Sequence, residues 1–453
     1  MSASEASSFE KILIESNDQK RSVDLRGGIV SIDYYEDILS PTVTAKVRVI
    51  DTGNTAMDKE GKIRRGLYSG LPLRGGERIE IKIKDQGKAN AEGKEKLGLD
   101  FSSNKEVSLY VSSVTQVLME TQRESFLLNL VSREAITNET SRVYKRYDSI
   151  ISETVKKILT DPLIGLNVDK SKLNDMVEPT KGTYNFLGNL RKPFSVLISL
   201  ASKSIPNKSG GATAGYVFFQ TQDGFQFKSI DKLISEKPKA TYIYKETNES
   251  SITENNDFNI LKYTVDKNQD LIENLRMGSY SFKRLTFNPN TFQFKQDIHS
   301  YTEKNKSSKK DSMDHLGTEE LKLPKLSDDS KLTLDRAPTR VLAQIVDIGA
   351  TSDISQKQNY EIDNYLGQNI MRYNLMNTQN LSMTIPCNTD LRAGDVIECR
   401  FPKISRDDGG EIYDDVTSGN YMIKELCHHF EANRSFTSMK LMRDTFGFYG
   451  DKS

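Results

Sequence analysis

Cysteine and histidine are scarce in this chain, and neither sign of charge is in excess. The three cysteines, Cys387, Cys399 and Cys427, are an odd number without paired short spacings. They read as small buried hydrophobes in a reducing compartment rather than as a disulfide framework. Lys plus Arg and Asp plus Glu both total 63. There is therefore no basic surplus to neutralise phosphates, which argues against a dedicated nucleic-acid binder. No window approaches the roughly 18 continuous apolar residues of a membrane span, so no membrane-spanning segment is expected. The opening MSASEASSFEKILIESNDQ lacks a basic n-region and an apolar h-region, and no secretory signal is expected.

Two of the four histidines stand directly behind a cysteine in ELCHHFEANRSF, residues 425–436. On a strand, alternate side chains face opposite ways, so Cys427 and His429 point one way and His428 the other. Adjacent residues then cannot close on one ion, and Cys387 and Cys399 stand too far off in sequence to complete a two-cluster zinc site. A Cys427–histidine nucleophile fails on the same geometry. No metal, cofactor or catalytic residue is assigned, and the stretch reads as part of a β-hairpin.

With 453 residues, a prior of about 150 per domain gives two to four domains. Strand alternation is clean in PTVTAKVRVID and RIEIKIKD. Residues 86–105 are charged and aperiodic, as in a long exposed loop. VSLYVSSVTQVLMETQRESFLLNLVS has the length of two long strands turning near Glu120 to Arg123. From about 137 the period becomes helical. Ile151, Val155, Ile158 and Leu159 recur before a stop at Asp161 and Pro162, and a second helix starts at Pro193 with Phe194, Leu197, Ile198, Ala201 and Ile205 buried. A hairpin turns at Asp223 and Gly224. A polar excursion or flexible loop follows at 301–337, and a third helix begins near 360 with Ile362, Leu366, Ile370 and Tyr373 on one face.

An internal repeat organises these pieces. LRGGERIEIKI (73–83) aligns without gaps to LRAGDVIECRF (391–401). SFLLNLVSRE (125–134) matches SFTSMKLMRD (435–444), each after a strand opening at a tyrosine, Tyr110 and Tyr421. LRGG (25–28) resembles LRMG (275–278). The blocks are collinear, and Gly76 and Gly394 supply tight turns before a strand. The chain is thus expected to be α+β, mainly β, with two copies of one antiparallel barrel or sandwich. The expected divisions are 9–135, the first barrel; 136–260, an α+β middle domain; 261–300, the first hairpin of the second barrel; 301–337; 338–446, a helix and the rest of that barrel; and 447–453, a tail. Phe126 should superpose on Phe436, and Cys427, His428 and His429 roughly on Gln116, Val117 and Leu118.

LRAGDVIECRFP followed by SGNYMIKELCHHFEANRSFTSMKLMRD resembles the closing module of baseplate hub proteins of contractile-tailed bacteriophages. The matching positions are Gly394, Asp395, Ser418, Gly419, Tyr421, His428, Arg443 and Asp444. VSREAITNETSRVYKRYDSIISETVKKIL and residues 186–230 resemble that family's middle domain. The resemblance implies two tail-tube-like barrels per chain and a homotrimeric, pseudo-sixfold ring. Such a ring adapts a sixfold tail tube to a threefold central spike beside other inner-baseplate proteins, with DNA only passing through the lumen. It further implies a virion component, located in the tail baseplate and assembled in the host cytoplasm. A type VI secretion or extracellular contractile injection adaptor would share this fold. A tail-associated peptidoglycan hydrolase is the reading of another class. It needs paired carboxylates or zinc ligands, whereas Asp407 and Asp408 read as a Gly-rich turn, and Glu361 with Asp363 as the start of a helix.

Overall fold

In the computed structural model the residues described are 7–53, 56–57, 64–85, 98–103, 108–207, 213–244, 258–301, 314–318, 323–350, 359, 365–403, 413–414 and 416–447. Much of the loop expected at 86–105 and part of the excursion at 301–337 lie outside them. So do Glu361, Ile362, Asp363, Asp407, Asp408 and the tail from 448.

Period-two alternation builds a first set of strands: β1 (Ser8–Glu15), β2 (Ile29–Asp37), β3 (Thr44–Asp51), β4 (Arg78–Lys84), β5 (Leu109–Met119) and β6 (Glu124–Ser132). In β3 the side chains of Ala45, Val47 and Val49 are buried while Lys46 and Arg48 are exposed, which is the pattern of a sheet with one wet face. Ile32, Val47, Ile81, Val111, Phe126 and Leu128 share one core.

The middle region follows its helical period. Helix α1 (Ile151–Thr160) buries Ile151, Val155, Ile158 and Leu159 and ends before Asp161. Helix α2 (Pro193–Ala201) has its proline in the first turn, where the missing N–H costs no hydrogen bond. Ile198 is exposed rather than buried, and Ile205 is buried beyond the helix end. Strands β7 (Tyr216–Thr221) and β8 (Gly224–Ser229) form the expected hairpin.

The second set is β9 (Thr241–Ile243), β10 (Lys262–Asn268) and, beyond a small sheet of β11 (Ser281–Asn288), β12 (Gln293–Ser300) and β13 (Arg340–Ile345), the strands β14 (Gln379–Pro386), β15 (Val396–Arg400), β16 (Gly419–Glu431) and β17 (Ser435–Arg443). The first set pairs in the order β2-β3-β6-β5-β4 and the second in the order β10-β14-β17-β16-β15. The two sets therefore repeat the same antiparallel path. The second has its own core around Leu381, Met383, Ile397, Tyr421, Ile423 and Leu441. The protein is α+β and mainly antiparallel β.

The glycine turns occupy matching places in this path. Gly76 and Gly394 have φ of 93° and 91°. Gly76 N–H donates to Val111 at 2.7 Å and Gly394 N–H to Ile423 at 2.8 Å, while Val111 and Ile423 each donate back to the next residue, Glu77 and Asp395, at 2.9 Å.

Four expectations are corrected. The hairpin near 273–297 does not open the second barrel-like set: β11 and β12 sit with β13 in a separate three-stranded sheet, and β10 takes the place of β2. LRMG is the end of helix Leu271–Met277 with Gly278 as its left-handed cap, a shape that LRGG only imitates. β9 pairs in parallel with β15, so the second set begins before residue 261. Finally, the late blocks are displaced by one residue. Val111 and Ile423 are equivalent, which sets Leu109, not Tyr110, opposite Tyr421 in the superposition. Phe126 is buried on the inner face, whereas Phe436 lies on the outer face against His429. A one-residue slip reverses faces in a strand.

Helix α3 (Leu366–Leu375) buries Gln368, Met371, Arg372 and Leu375, a face rotated from the expected Leu366, Ile370 and Tyr373. Within the excursion, Leu316 is buried and shares a cluster with Met376 and Met442, so part of it is docked.

Replacing Gly394 by Ala is expected to lower stability by about 1 kcal/mol or more. Its φ is positive, and a Cβ would lie 3.1 Å from the Phe219 ring. Gly27→Ala, where nothing lies within 4 Å, is the control in chemical denaturation.

Candidate functional site

The resemblance residues of the last strands form two groups. Arg443, fully buried, donates through Nη1 to the Ser418 carbonyl at 3.0 Å and through Nη2 to the Val416 carbonyl at 2.7 Å. Its guanidinium lies 4.9 Å from the Tyr421 ring centroid and 5.6 Å from that of Phe446. Gly419 is required here, because a Cβ would lie 2.7 Å from Arg443 Nη1. The Tyr421 hydroxyl donates to the Thr417 carbonyl at 2.6 Å. Together these groups fold the entry of β16 back onto the end of β17.

Asp444 opens the second group. Its Oδ2 accepts from Arg372 Nη1 at 2.8 Å and lies 2.7 Å from His315 Nδ1, and Oδ1 accepts from the Leu316 amide at 3.0 Å. Arg372 Nη2 reaches Asp231 Oδ1 at 2.8 Å, and Asp231 Oδ2 accepts from Thr213 N–H at 2.7 Å. Burial alone would raise the Asp444 carboxyl, but the His315 contact and the Arg372 charge outweigh it and hold the group down to about 2. This line of buried charges joins the end of β17, helix α3, the docked part of the excursion and the middle domain.

A second buried carboxylate joins the other three-way contact. Glu36 on β2 accepts from the Tyr34 hydroxyl at 2.8 Å, the Gln222 amide in the β7–β8 turn at 2.7 Å and the Ala393 amide before β15 at 2.9 Å. Burial pushes its carboxyl up to about 7 against the pull of Arg392. Arg392 in turn binds Asp223 at 2.9 Å. All three parts of the chain thus meet on one side chain.

The remaining resemblance residues are structural in the same sense. Asp395 accepts from the Arg392 amide at 2.7 Å and pairs with Lys239 at 2.8 Å, fixing the turn. Burial raises its carboxyl, opposed by Lys239. His428 is fully buried at the β2–β16 boundary, with Nδ1 2.9 Å from Thr437 Oγ1 and its ring stacked on Tyr34. His429 faces the other way, toward Asp33 and Glu431. Among the described residues no group of three or more His, Cys, Asp or Glu is arranged to hold a metal ion. Sequence reasoning missed Glu36, Arg372 and Asp231. The alternation Ile32, Tyr34, Glu36, Ile38 already placed an acid on a buried face.

The outer face of the joined sheet carries a shallow groove of about 450 Å³ that crosses from β10 through β16 to Tyr35 on β2. Lys262, Asp266, Glu425 and Lys440 line it, with Lys440 and Glu425 2.9 Å apart. Its charged lining is mixed in sign, over a floor that includes Met383, Leu426 and Met439. No helix among the described residues is long and apolar enough to cross a membrane.

The chain was compared with known proteins. No family model matches it, and no curated protein sequence matches it. Among solved structures, a tail protein from Neisseria meningitidis MC58 aligns over 97% of this chain and 97% of its own, with a TM-score of 0.50 and 10% identity. It shares the fold of a tail protein. The 43 kDa tail protein of prophage MuSo2 from Shewanella oneidensis aligns over 96% of this chain and 98% of its own at a TM-score of 0.49 and 8% identity. The prophage tail protein gp18 from Listeria monocytogenes EGD-e aligns over 98% and 96% at 0.44 and 9%.

Two outcomes follow from the buried carboxylates. Arg372→Met leaves Asp231 and Asp444 buried without their shared cation and should cost about 3–5 kcal/mol in denaturant unfolding. Glu36 holds its proton more tightly folded than unfolded, between its ordinary value of 4.5 and about 7. Its contribution is therefore full below pH 4.5 and declines as pH rises to about 7, by about 3 kcal/mol. Glu36→Gln should flatten stability against pH across that window.

Proposed function

We propose that this chain is the structural hub of a phage contractile-tail baseplate. Three copies close into a ring in which each contributes two barrel-like units, giving a pseudo-sixfold annulus. One rim continues the sixfold tail tube and the other holds a trimeric central spike, with other inner-baseplate proteins around it. The observation that carries this reading is the repeated strand order in one chain, with Gly76 and Gly394 in matching turns. A threefold ring of duplicated units can present sixfold-like surfaces on one side while staying threefold on the other. The tail-protein fold supports the reading.

The role is one of assembly rather than hydrolysis. The perturbed carboxylates Glu36 and Asp444 have their oxygens engaged in joining parts of the chain. They are not paired across a cleft as glycoside hydrolysis requires. Opposite charges neighbour each other on the solvated sheet face, as Asp33 beside Lys46 and Glu425 beside Lys440, so a lumen lined by it would let DNA pass without the strongly salt-dependent grip of a basic surface. The particle is a virion component assembled in the host cytoplasm.

Light scattering of the purified chain should give a mass three times that of one chain, and with tail-tube protein a complex that contains three copies of this chain. A species of six chains, or a chain that stays monomeric with tube protein present, is incompatible with this function.

A further inference from the structure

A cavity of about 620 Å³ opens where the first strand set meets the middle region, and the ring assembly makes no use of it. Phe101 and Leu109 from the first set and Leu166, Met176 and Phe225 from the middle region form its floor, all of them buried. Ligand pockets commonly have this size and this position between two parts of a fold. Glu134, in the first turn of the helix Arg133–Thr140 that follows β6, also lines it and is half-buried.

Glu134 differs from Asp231, Asp395 and Asp444, each of which has an arginine or lysine nitrogen at 2.8 Å. Among the described residues no such nitrogen comes within 4.0 Å of Glu134. Gln220 Nε2 donates to its carboxylate at 3.2 Å, and Gln220 Oε1 accepts from the Val43 amide at 3.2 Å. The middle region and the first set thus hold the carboxylate between them. Ser132 and the amide of Glu134 itself add local support, and the exposed Arg133 pulls more weakly. An acid suits the start of a helix, but the helix end offers only a partial charge. Burial outweighs these influences and raises the carboxyl above its ordinary range. An enclosed carboxylate with no cation beside it favours a ligand that brings one.

The other charges of the cavity point the same way. Asp100, Glu134, Asp169, Asp175 and Asp223 stand against two bases, Arg133 and Lys172. Asp223 is already held by Arg392 at 2.9 Å, which leaves four acids against two bases. We propose that this cavity binds a guanidinium carried on an aliphatic stem, the chemistry of an arginine side chain, with Glu134 as its carboxylate partner. A guanidinium fits better than an ammonium, because it is more weakly hydrated and its planar fork can engage both carboxylate oxygens. The stem covers the apolar floor while the charged head reaches the acid. An arginine of a partner protein and a free alkylguanidine carry the same group, and two probes separate them.

Calorimetry of the full chain at low salt is the test, with butylguanidine and an end-blocked Ala-Arg-Ala peptide as probes. Each has a neutral counterpart of the same shape in which a urea replaces the guanidinium: butylurea, and the peptide with citrulline for arginine. A charged probe should bind at one site per chain, and its neutral counterpart about tenfold more weakly or worse. Glu134→Gln should cost the charged probes a similar factor while leaving the unfolding transition of the chain in place. Asp175→Asn, on the exposed rim, should cost less than about threefold. Binding of the peptide points to an arginine of a partner protein, and binding of butylguanidine alone to a small ligand. The proposal is overturned if neither charged probe binds at millimolar concentration, if the neutral counterparts bind as well, or if affinity survives Glu134→Gln. The comparison of charged and neutral probes uses the unaltered chain, so it decides the matter even where the variant fails to fold.

Discussion

Seven residue pairs between β2 and β16, from Asp37 with Glu425 to Ser31 with Glu431, make one sheet of two strand sets. Each set has the same order and its own apolar core, and beside this seam they meet only at smaller contacts such as Glu36 with the Ala393 amide and Gly98 with Thr389 and through the middle region. The seam carries few charged side chains inward. His428 stacks on Tyr34, and Phe430 is fully buried beside Ile32. Backbone hydrogen bonds set the register, and the buried side chains hold it, because a slip of one residue would turn Glu425 and His429 into the core.

The seam is flanked by two buried charged contacts, each joining three parts of the chain. Glu36 receives amide hydrogens from the β7–β8 turn and from the turn before β15. Arg372 bridges Asp231 of the middle region and Asp444 at the end of β17. Buried charges of this kind add little net stability relative to apolar packing, but leaving one unpaired is costly. They therefore penalise any arrangement in which the three parts are misaligned. In the closed ring proposed for it this would matter more than raw stability, since a small error in the angle between the two sets would be multiplied around the assembly.

The fold was legible where one face is wet and the other dry. Alternation located β3 and β4, the helical period located α1, and the shared Gly-acid turn before β4 and β15 located the repeat. It failed where those signals weaken. β10 is an edge strand whose residues alternate only between half-buried and exposed, so LRMG before β11 drew the second set to the wrong hairpin. Bulges are invisible to alignment. The extra residue at Lys424 in β16 has its counterpart at Ser112 in β5, whereas the shared Ser-Phe dipeptide lies one residue further along β6 than along β17, which set Phe126 on Phe436. Of the site, the turn residues and Arg443 were legible as a pattern. Asp231 and Arg372 were not, because their partners lie 141 residues apart and no local period marks them.

The central claim is that two strand sets in one chain become six equivalent units in a ring of three. Cryo-microscopy of the assembled ring bound to tail-tube protein tests this most directly. The account predicts three chains around the axis and six similar lobes, with a β2–β16 seam inside each chain. A ring of six single chains, or density for this protein away from the tube axis, would contradict it.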